Sequence, residues 1–190
     1  MKRIGILGDI GSGKSFVAKC FGHPVFNADL EVGKIYKKDK NIFNKLKKIL
    51  PIHFNSFPIN KINITNAILA NKNNLKKIVK IIHREVRKKL NIFLKKNKKK
   101  NIVVLDIPLL LENKINKKKD ILIFVDSKKF EIEKRLKKRK NFNKKIHKDF
   151  KKIQLSLDYK KKKSQFIIKN NFNKNSVRLK VKKILKEVCK

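Results

Sequence analysis

Apolar positions fall along this 190-residue chain in two rhythms. Short, nearly unbroken apolar runs occur at Arg3 to Leu7 (RIGIL), His23 to Ala28 (HPVFNA), Asn101 to Asp106 (NIVVLD), Asp120 to Asp126 (DILIFVD) and Gln165 to Lys169 (QFIIK). Runs of that length, apolar on both faces, predict strands buried inside a parallel sheet. Between them apolar residues recur every three or four positions, the helical period. Leu30 to Leu50 does so through Val32, Ile35, Tyr36, Ile42, Phe43, Leu46, Ile49 and Leu50, with a break expected near Asp39. The strongest helix is predicted over Asn74 to Leu94, carried by Leu75, Ile78, Val79, Ile82, Val86, Leu90 and Phe93. Further helices are expected at 14–21, 128–140, 145–163 and 176–188, and an irregular stretch between Pro51 and Pro58.

Strands alternating with helices predict an α/β fold with a parallel sheet of about five strands. The long helical stretch between the second and third strands reads as an inserted subdomain at about 30–99. The core is expected at 1–29, 100–134 and 164–190. No internal repeat or Pro/Gly/Ser linker divides the chain.

Composition changes this picture less than its size suggests. The chain has 54 Lys+Arg against 14 Asp+Glu, a formal net charge of +40. Such a charge points first to nucleic acid or an anionic surface. The basic residues, however, are 48 Lys and only 6 Arg, beside 26 Ile and 21 Asn. All three abundant types have codons built from A and T alone, so a biased genome enriches them without any ligand. The Lys runs at 95–100, 117–119 and 160–163 also lack the interleaved aromatics of a single-strand binder. They are read as solvated faces, with non-specific polyanion binding as a side effect and no specific nucleic acid expected. Cys20 and Cys189 form no metal or disulfide pattern, and Cys20 is taken as core. No apolar run reaches the ~18–20 residues of a membrane span, and the N-terminal one is too short for a signal peptide. A cytoplasmic protein is expected, and a monomer.

Gly8 to Ser15 reads GDIGSGKS and satisfies G-x-x-x-x-G-K-[ST], after a predicted strand and before a predicted helix. Such a loop curls backbone N–H groups round phosphate oxygens. Lys14 would reach the outer phosphates of a nucleoside triphosphate, and Ser15 Oγ would ligate magnesium. Three of the chain's six glycines lie here at the required spacing, which leaves little room for coincidence.

With so few carboxylates, those beside the loop are informative. Asp29 follows the second strand, where it could orient and deprotonate an acceptor hydroxyl, or equally cap the next helix. Asp106 ends the third strand, where it could hold magnesium through water or form a turn. Asp9, inside the loop, is expected to point outward, away from the phosphates.

GDIGSGKSFVAKCF, VFNAD, IIHREVRKKL, VVLDIPLLLEN, EIEKRLKKR and Gln154 with FIIKNN occur in an order and at a spacing that resemble the dephospho-coenzyme A kinase family, from Arg3 to about Asn171. The resemblance implies a three-layer P-loop NTPase fold, and transfer of the ATP γ-phosphate to the ribose 3′-hydroxyl of dephospho-coenzyme A, the final step of coenzyme A biosynthesis. ATP and Mg2+ are the implied cofactors. It places Gly8, Gly11, Ser12, Gly13, Lys14, Ser15 and Phe16 at the nucleotide, with Ser15 and Asp106 at the metal. Asp29 becomes the base at the 3′-hydroxyl, which tips the balance away from capping. His83 and Arg87 match the coenzyme-binding helix, and Asp106, Pro108, Leu109, Leu110 and Glu112 the acceptor wall. Arg135 and Arg139 match the arginines entering a mobile lid at about 135–163, where they would meet charge on the transferred group.

The sequence departs from the family pattern in several places. Asn27 stands for an Asp, Asp9 for a Gly, Phe16 for a Thr-like residue, and Arg84 for a Pro. Phe150 takes the place of a lid Arg, with Lys148 and Lys151 as stand-ins. Two rival readings follow from the residues: another small-molecule kinase of this fold, acting on a nucleoside or sugar acid, and a basic nucleic-acid-binding protein with a structural nucleotide site.

Overall fold

A computed structural model describes residues 1–138 and 142–189, the Lys72 side chain aside. It resolves into two compact units, one of residues 1–27 with 97–190 and one of residues 28–96.

The first unit is built on a five-stranded parallel sheet of β1 (Lys2–Gly8), β2 (Val25–Asn27), β3 (Ile102–Asp106), β4 (Ile121–Asp126) and β5 (Phe166–Lys169), in the order β2-β3-β1-β4-β5. Every pairing is parallel, and β1 is central, with Gly5 opposite Leu105 on one side and Leu122 on the other. Side chains alternate across it. Ile4, Ile6, Ile102, Val104, Ile123, Val125 and Ile168 face α1 (Lys14–Cys20) and α9 (Lys174–Cys189), which add Val17, Ala18, Val177, Val181 and Ile184, with Phe21 at the C-cap of α1. Each such aliphatic side chain contributes about 1.5–3 kcal/mol on burial. On the opposite face Gly5 leaves room for Leu110 and Leu122, and α8 (Leu157–Lys162) packs against β1. Helices on both sheet faces complete the three layers.

Arg3 and Asp120 close the amino-terminal edge with a buried ion pair at 2.9 Å. Burial pushes the Asp120 carboxyl above the usual carboxylate range, and the Lys117 N–H and the Arg3 guanidinium offset this in part.

At the carboxyl edge, the connection leaving β1 runs to β2, beyond β3, and that leaving β3 runs to β4, on the far side of β1. Adjacent strands whose exits diverge leave a crevice above their carboxyl ends, where α/β sheets bind ligands.

The second unit is helical: α2 (Ala28–Lys38), α3 (Lys40–Ile49), α4 (Lys61–Ala70) and α5 (Lys72–Lys96). The apolar stripe of α5 packs on the other three through Leu75, Ile78, Ile82, Val86 and Leu90. The break expected near Asp39 is there, and Asp39 causes it: its carboxylate accepts from the Ile42 N–H at 3.0 Å and caps α3. Helix α4 has no amphipathic stripe, so its period is absent from the sequence. Asn60, accepting from the Ile62 N–H at 3.1 Å, marks its start instead.

The single helix expected over 145–163 is two, α7 (Lys144–Ile153) and α8, separated where Ser156 caps α8 by accepting from the Tyr159 N–H. Helix α6 (Lys129–Lys137) lies just before them. No helix among the described residues is long and apolar enough to cross a membrane.

Candidate active site

The loop after β1 gains its shape from glycine. Gly13 sits at φ 91°, and a Cβ there would lie 2.5 Å from Asn170 Nδ2. A Cβ on Gly8, at φ 143°, would lie 2.7 Å from the Val125 carbonyl oxygen. Only glycine combines these backbone angles with so close an approach.

Several contacts hold the loop from outside. Ser12 is fully buried, and its carbonyl accepts from Asn170 Nδ2 at 2.8 Å and from Ser127 Oγ at 3.0 Å. Gly11 abuts Ile132 and Leu136 of α6. Lys14 is 9% exposed, and its Nζ donates to the carbonyls of Gly8 at 3.2 Å and Asp9 at 2.7 Å. Its ammonium is thereby stationed inside the curl of the loop. Phe16 packs its ring against the apolar core, so what it offers the loop is its backbone N–H, donated to Gly13 O at 3.0 Å.

Asp9 does not point outward. It is buried, with Oδ1 accepting from the Ile10 N–H at 2.7 Å and Oδ2 standing 3.5 Å from Lys151 Nζ of α7. The local hydrogen bond and the lysine each offset part of the repulsion that a carboxylate in this loop would exert on phosphates.

Across the carboxyl edge Asn27 ends β2 in register with Asp106, which ends β3. Asn27 Nδ2 donates to Asp106 Oδ2 and lies 3.5 Å from Ser15 Oγ. One amide thus joins the two residues expected at the metal. A hydroxyl and a buried carboxylate are hard oxygen donors. A small set of that kind fits Mg2+, which keeps several waters and takes its remaining oxygens from substrate phosphates. No larger cluster of three or more His, Cys, Asp or Glu occurs among the described residues.

The segment after β3 divides its work. Leu110 is fully buried, its side chain packed beside Gly5. Pro108 and Leu109 are half-buried, and the Leu109 carbonyl accepts from Asn113 Nδ2 at 3.0 Å. Glu112 is turned toward the stretch joining α7 to α8: its Oε1 lies 2.7 Å from Lys160 Nζ and accepts from the Leu155 N–H at 3.1 Å. Lys160 is 1% exposed, so one member of the run 160–163 is no part of a solvated face.

Arg135, on α6, lies over the Phe172 ring at 4.3 Å from its centroid, and Arg139 falls outside the described residues. In the second unit, Asp29 is the second residue of α2, exposed in its first turn, which places it past the N-cap position. His83 and Arg87, four apart on α5, share one helix face. Cys20 packs against the core, where burial pushes its thiol up and Arg178 offsets this in part.

Asn170, Ser127 and Phe172 support the loop but lack a local sequence signal of their own. Asn170 was visible only as part of FIIKNN.

The family model for dephospho-CoA kinase matches residues 2–176. The chain is 36% identical to the dephospho-CoA kinase of Wolbachia pipientis over 96% of its own length and 95% of the relative's. It is 31% identical to that of Bartonella henselae, with both chains covered fully. Among solved structures, the dephospho-CoA kinase from Campylobacter jejuni superimposes with a TM-score of 0.67 at 22% identity, covering 98% of this chain and 97% of that one. Shikimate kinase from Acinetobacter baumannii gives 0.55 at 14% identity, covering 100% and 93%, so the wider P-loop kinase fold is shared. With a family match spanning the strands, the phosphate loop and the segment after β3, the chain belongs to the dephospho-CoA kinase family.

Proposed function

We propose that this chain transfers the γ-phosphoryl group of ATP to the ribose 3′-hydroxyl of dephospho-CoA, completing coenzyme A, with Lys14, Asp29 and the α6–α7 cations as its working groups. The observation that carries this reading is the convergence at the carboxyl edge: a phosphate loop threaded by Lys14 beside the Ser15–Asn27–Asp106 cluster.

In the proposed reaction the 3′-oxygen attacks the γ-phosphorus in line. Its proton passes to the Asp29 carboxylate, and the bond to the β–γ bridging oxygen breaks, so that ADP leaves. Lys14 and the loop N–H groups hold the phosphates, while Arg135, Arg139 and Lys151 face the negative charge on the transferring group. Ser15 and Asp106 would hold Mg2+, which when bound neutralises charge on the β- and γ-phosphate oxygens. His83 and Arg87 bind the coenzyme, with Pro108 and Leu109 at the acceptor wall. No covalent enzyme intermediate is required. We read the protein as a cytoplasmic monomer whose surplus charge gives only salt-sensitive, sequence-independent attraction to polyanions.

ADP release from Mg-ATP, with and without dephospho-CoA, tests this reading in wild type, Lys14→Ala and Asp29→Asn. Acceptor-dependent turnover lost in both variants supports it in full. Turnover that survives Asp29→Asn removes the proposed base. Acceptor-independent wild type overturns the substrate assignment.

A further inference from the structure

Lys160 is the most deeply buried lysine among the described residues that ends on a carboxylate. Burying an ammonium costs several kcal/mol unless it is paired and hydrogen-bonded, and lysines normally keep the head group in water. Codon bias does not account for this one. Isoleucine is as AT-rich in its codons and would suit a site packed on the sheet, yet the chain keeps a charge there.

The partners of that charge span two segments. Glu112, six residues past the end of β3, has its Oε1 2.7 Å from Lys160 Nζ and accepts there from the Leu155 N–H at 3.1 Å. Gln154 Oε1 lies 3.5 Å from the same Nζ. Gln154 is the C-cap of α7, and its N–H donates to the Lys151 carbonyl at 3.2 Å. Lys151 in turn faces Asp9 of the phosphate loop. A continuous set of contacts therefore runs from the segment after β3, through Lys160, to the α7 cation beside the loop. Glu112 Oε2, also buried, has no protein donor among the described residues, so the orientation of the carboxylate rests on Oε1.

We propose that Lys160 is a positioning residue for phosphoryl transfer: by fixing Glu112 it pins the C-terminal base of α7 and so holds Lys151 at the phosphate loop. This rests on the kinase reading for its catalytic consequence, but not for the pinning itself.

The test compares wild type with Lys160→Met and with the double variant Lys160→Met/Glu112→Leu. The double variant matters because removing one partner strands the other, whereas replacing both by apolar groups is often neutral for stability. Two readouts are taken: hydrogen exchange over 144–156 with and without Mg-ATP, and kcat and KM for each substrate. The expected result is a double variant as thermostable as wild type whose ATP-induced protection over 144–156 is lost, with kcat down about tenfold and KM for dephospho-CoA within about twofold. A stable double variant with wild-type protection and kcat would reduce the pair to a structural strut and overturn the proposal. If wild type shows no acceptor-dependent turnover, the substrate reading fails while the exchange comparison still decides this one.

Discussion

Lys151 Nζ of α7 stands 3.5 Å from Oδ2 of Asp9, a carboxylate set inside the phosphate loop itself. The resemblance to the family implies a glycine at the position of Asp9, and offers Lys151, with Lys148, in place of the lid arginine that is Phe150 here. Removing the carboxylate takes a negative charge away from the nucleotide phosphates but also frees the lysine. Asp9→Gly is expected to tighten ATP about threefold to tenfold, the order of one charge interaction near a protein surface. Titration calorimetry with Mg-ATP checks it, and unchanged affinity would show that Lys151 already cancels the charge.

Asn27 donates its amide to Asp106 Oδ2 and sits beside Ser15 Oγ. In Asn27→Asp the donor becomes a second carboxylate against the first, and two such groups sharing a site cannot both ionise freely. The variant should be about 1 kcal/mol less stable without Mg2+ and should need severalfold less Mg2+ for half-maximal turnover. Thermal melts with and without the metal, beside a Mg2+ titration of activity, separate the two effects.

The space for a Cβ on Gly13 is taken by Asn170 Nδ2, the group that also holds the Ser12 carbonyl. Gly13→Ala should therefore cost at least about 2 kcal/mol, through strained φ and a displaced hydrogen bond. Asn170→Ala should cost about 1–2 kcal/mol, because the Ser12 carbonyl loses its amide partner. Urea denaturation of the two single variants tests both figures, and a Gly13→Ala loss smaller than that of Asn170→Ala would show that the loop relaxes round the methyl.

In the helical unit, burial raises the Tyr36 hydroxyl to about 12. An unfolded tyrosine ionises near pH 10, so the folded chain keeps its proton longer. The stability that this residue contributes is intact below about pH 10 and is lost as pH rises toward 12. In a Tyr159→Phe background Tyr36 is the one tyrosine left. Its ultraviolet titration should then coincide with alkaline loss of helix, and Tyr36→Phe should push that loss to higher pH.

The sheet was legible because buried parallel strands are apolar on both faces, and α5 because its stripe repeats over about five turns. Helix α4 was hidden, since Ile62, Ile64, Ile68 and Leu69 do not gather on one side and its boundary lies in a single cap, Asn60. The Ser156 break between α7 and α8 was masked by lysines, which suit a helix and a loop equally. At the site, GDIGSGKS announced itself because its function needs particular residues at fixed spacing. The partners of the loop did not: Asn170 lies 158 positions from Ser12 and is tied to it only through the sheet. The inward turn of Asp9 has no sequence signal, because the Lys151 that stands beside it lies 142 positions away. Lys160 was lost in a run of identical neighbours, for charge alone does not say which of four lysines turns inward.

The position of β1 has a consequence for how the protein is made. It leaves the ribosome ahead of the four strands it is sheeted with, yet its sheet partners Leu105 and Leu122 lie a hundred residues and more behind Gly5. At the usual speed of translation that is a wait of roughly ten seconds. The helical unit of residues 28–96, which is compact on its own, is synthesised whole within that interval. The outer supports of the phosphate loop, Ser127 and Asn170, therefore emerge only after residues 28–96 have left the ribosome.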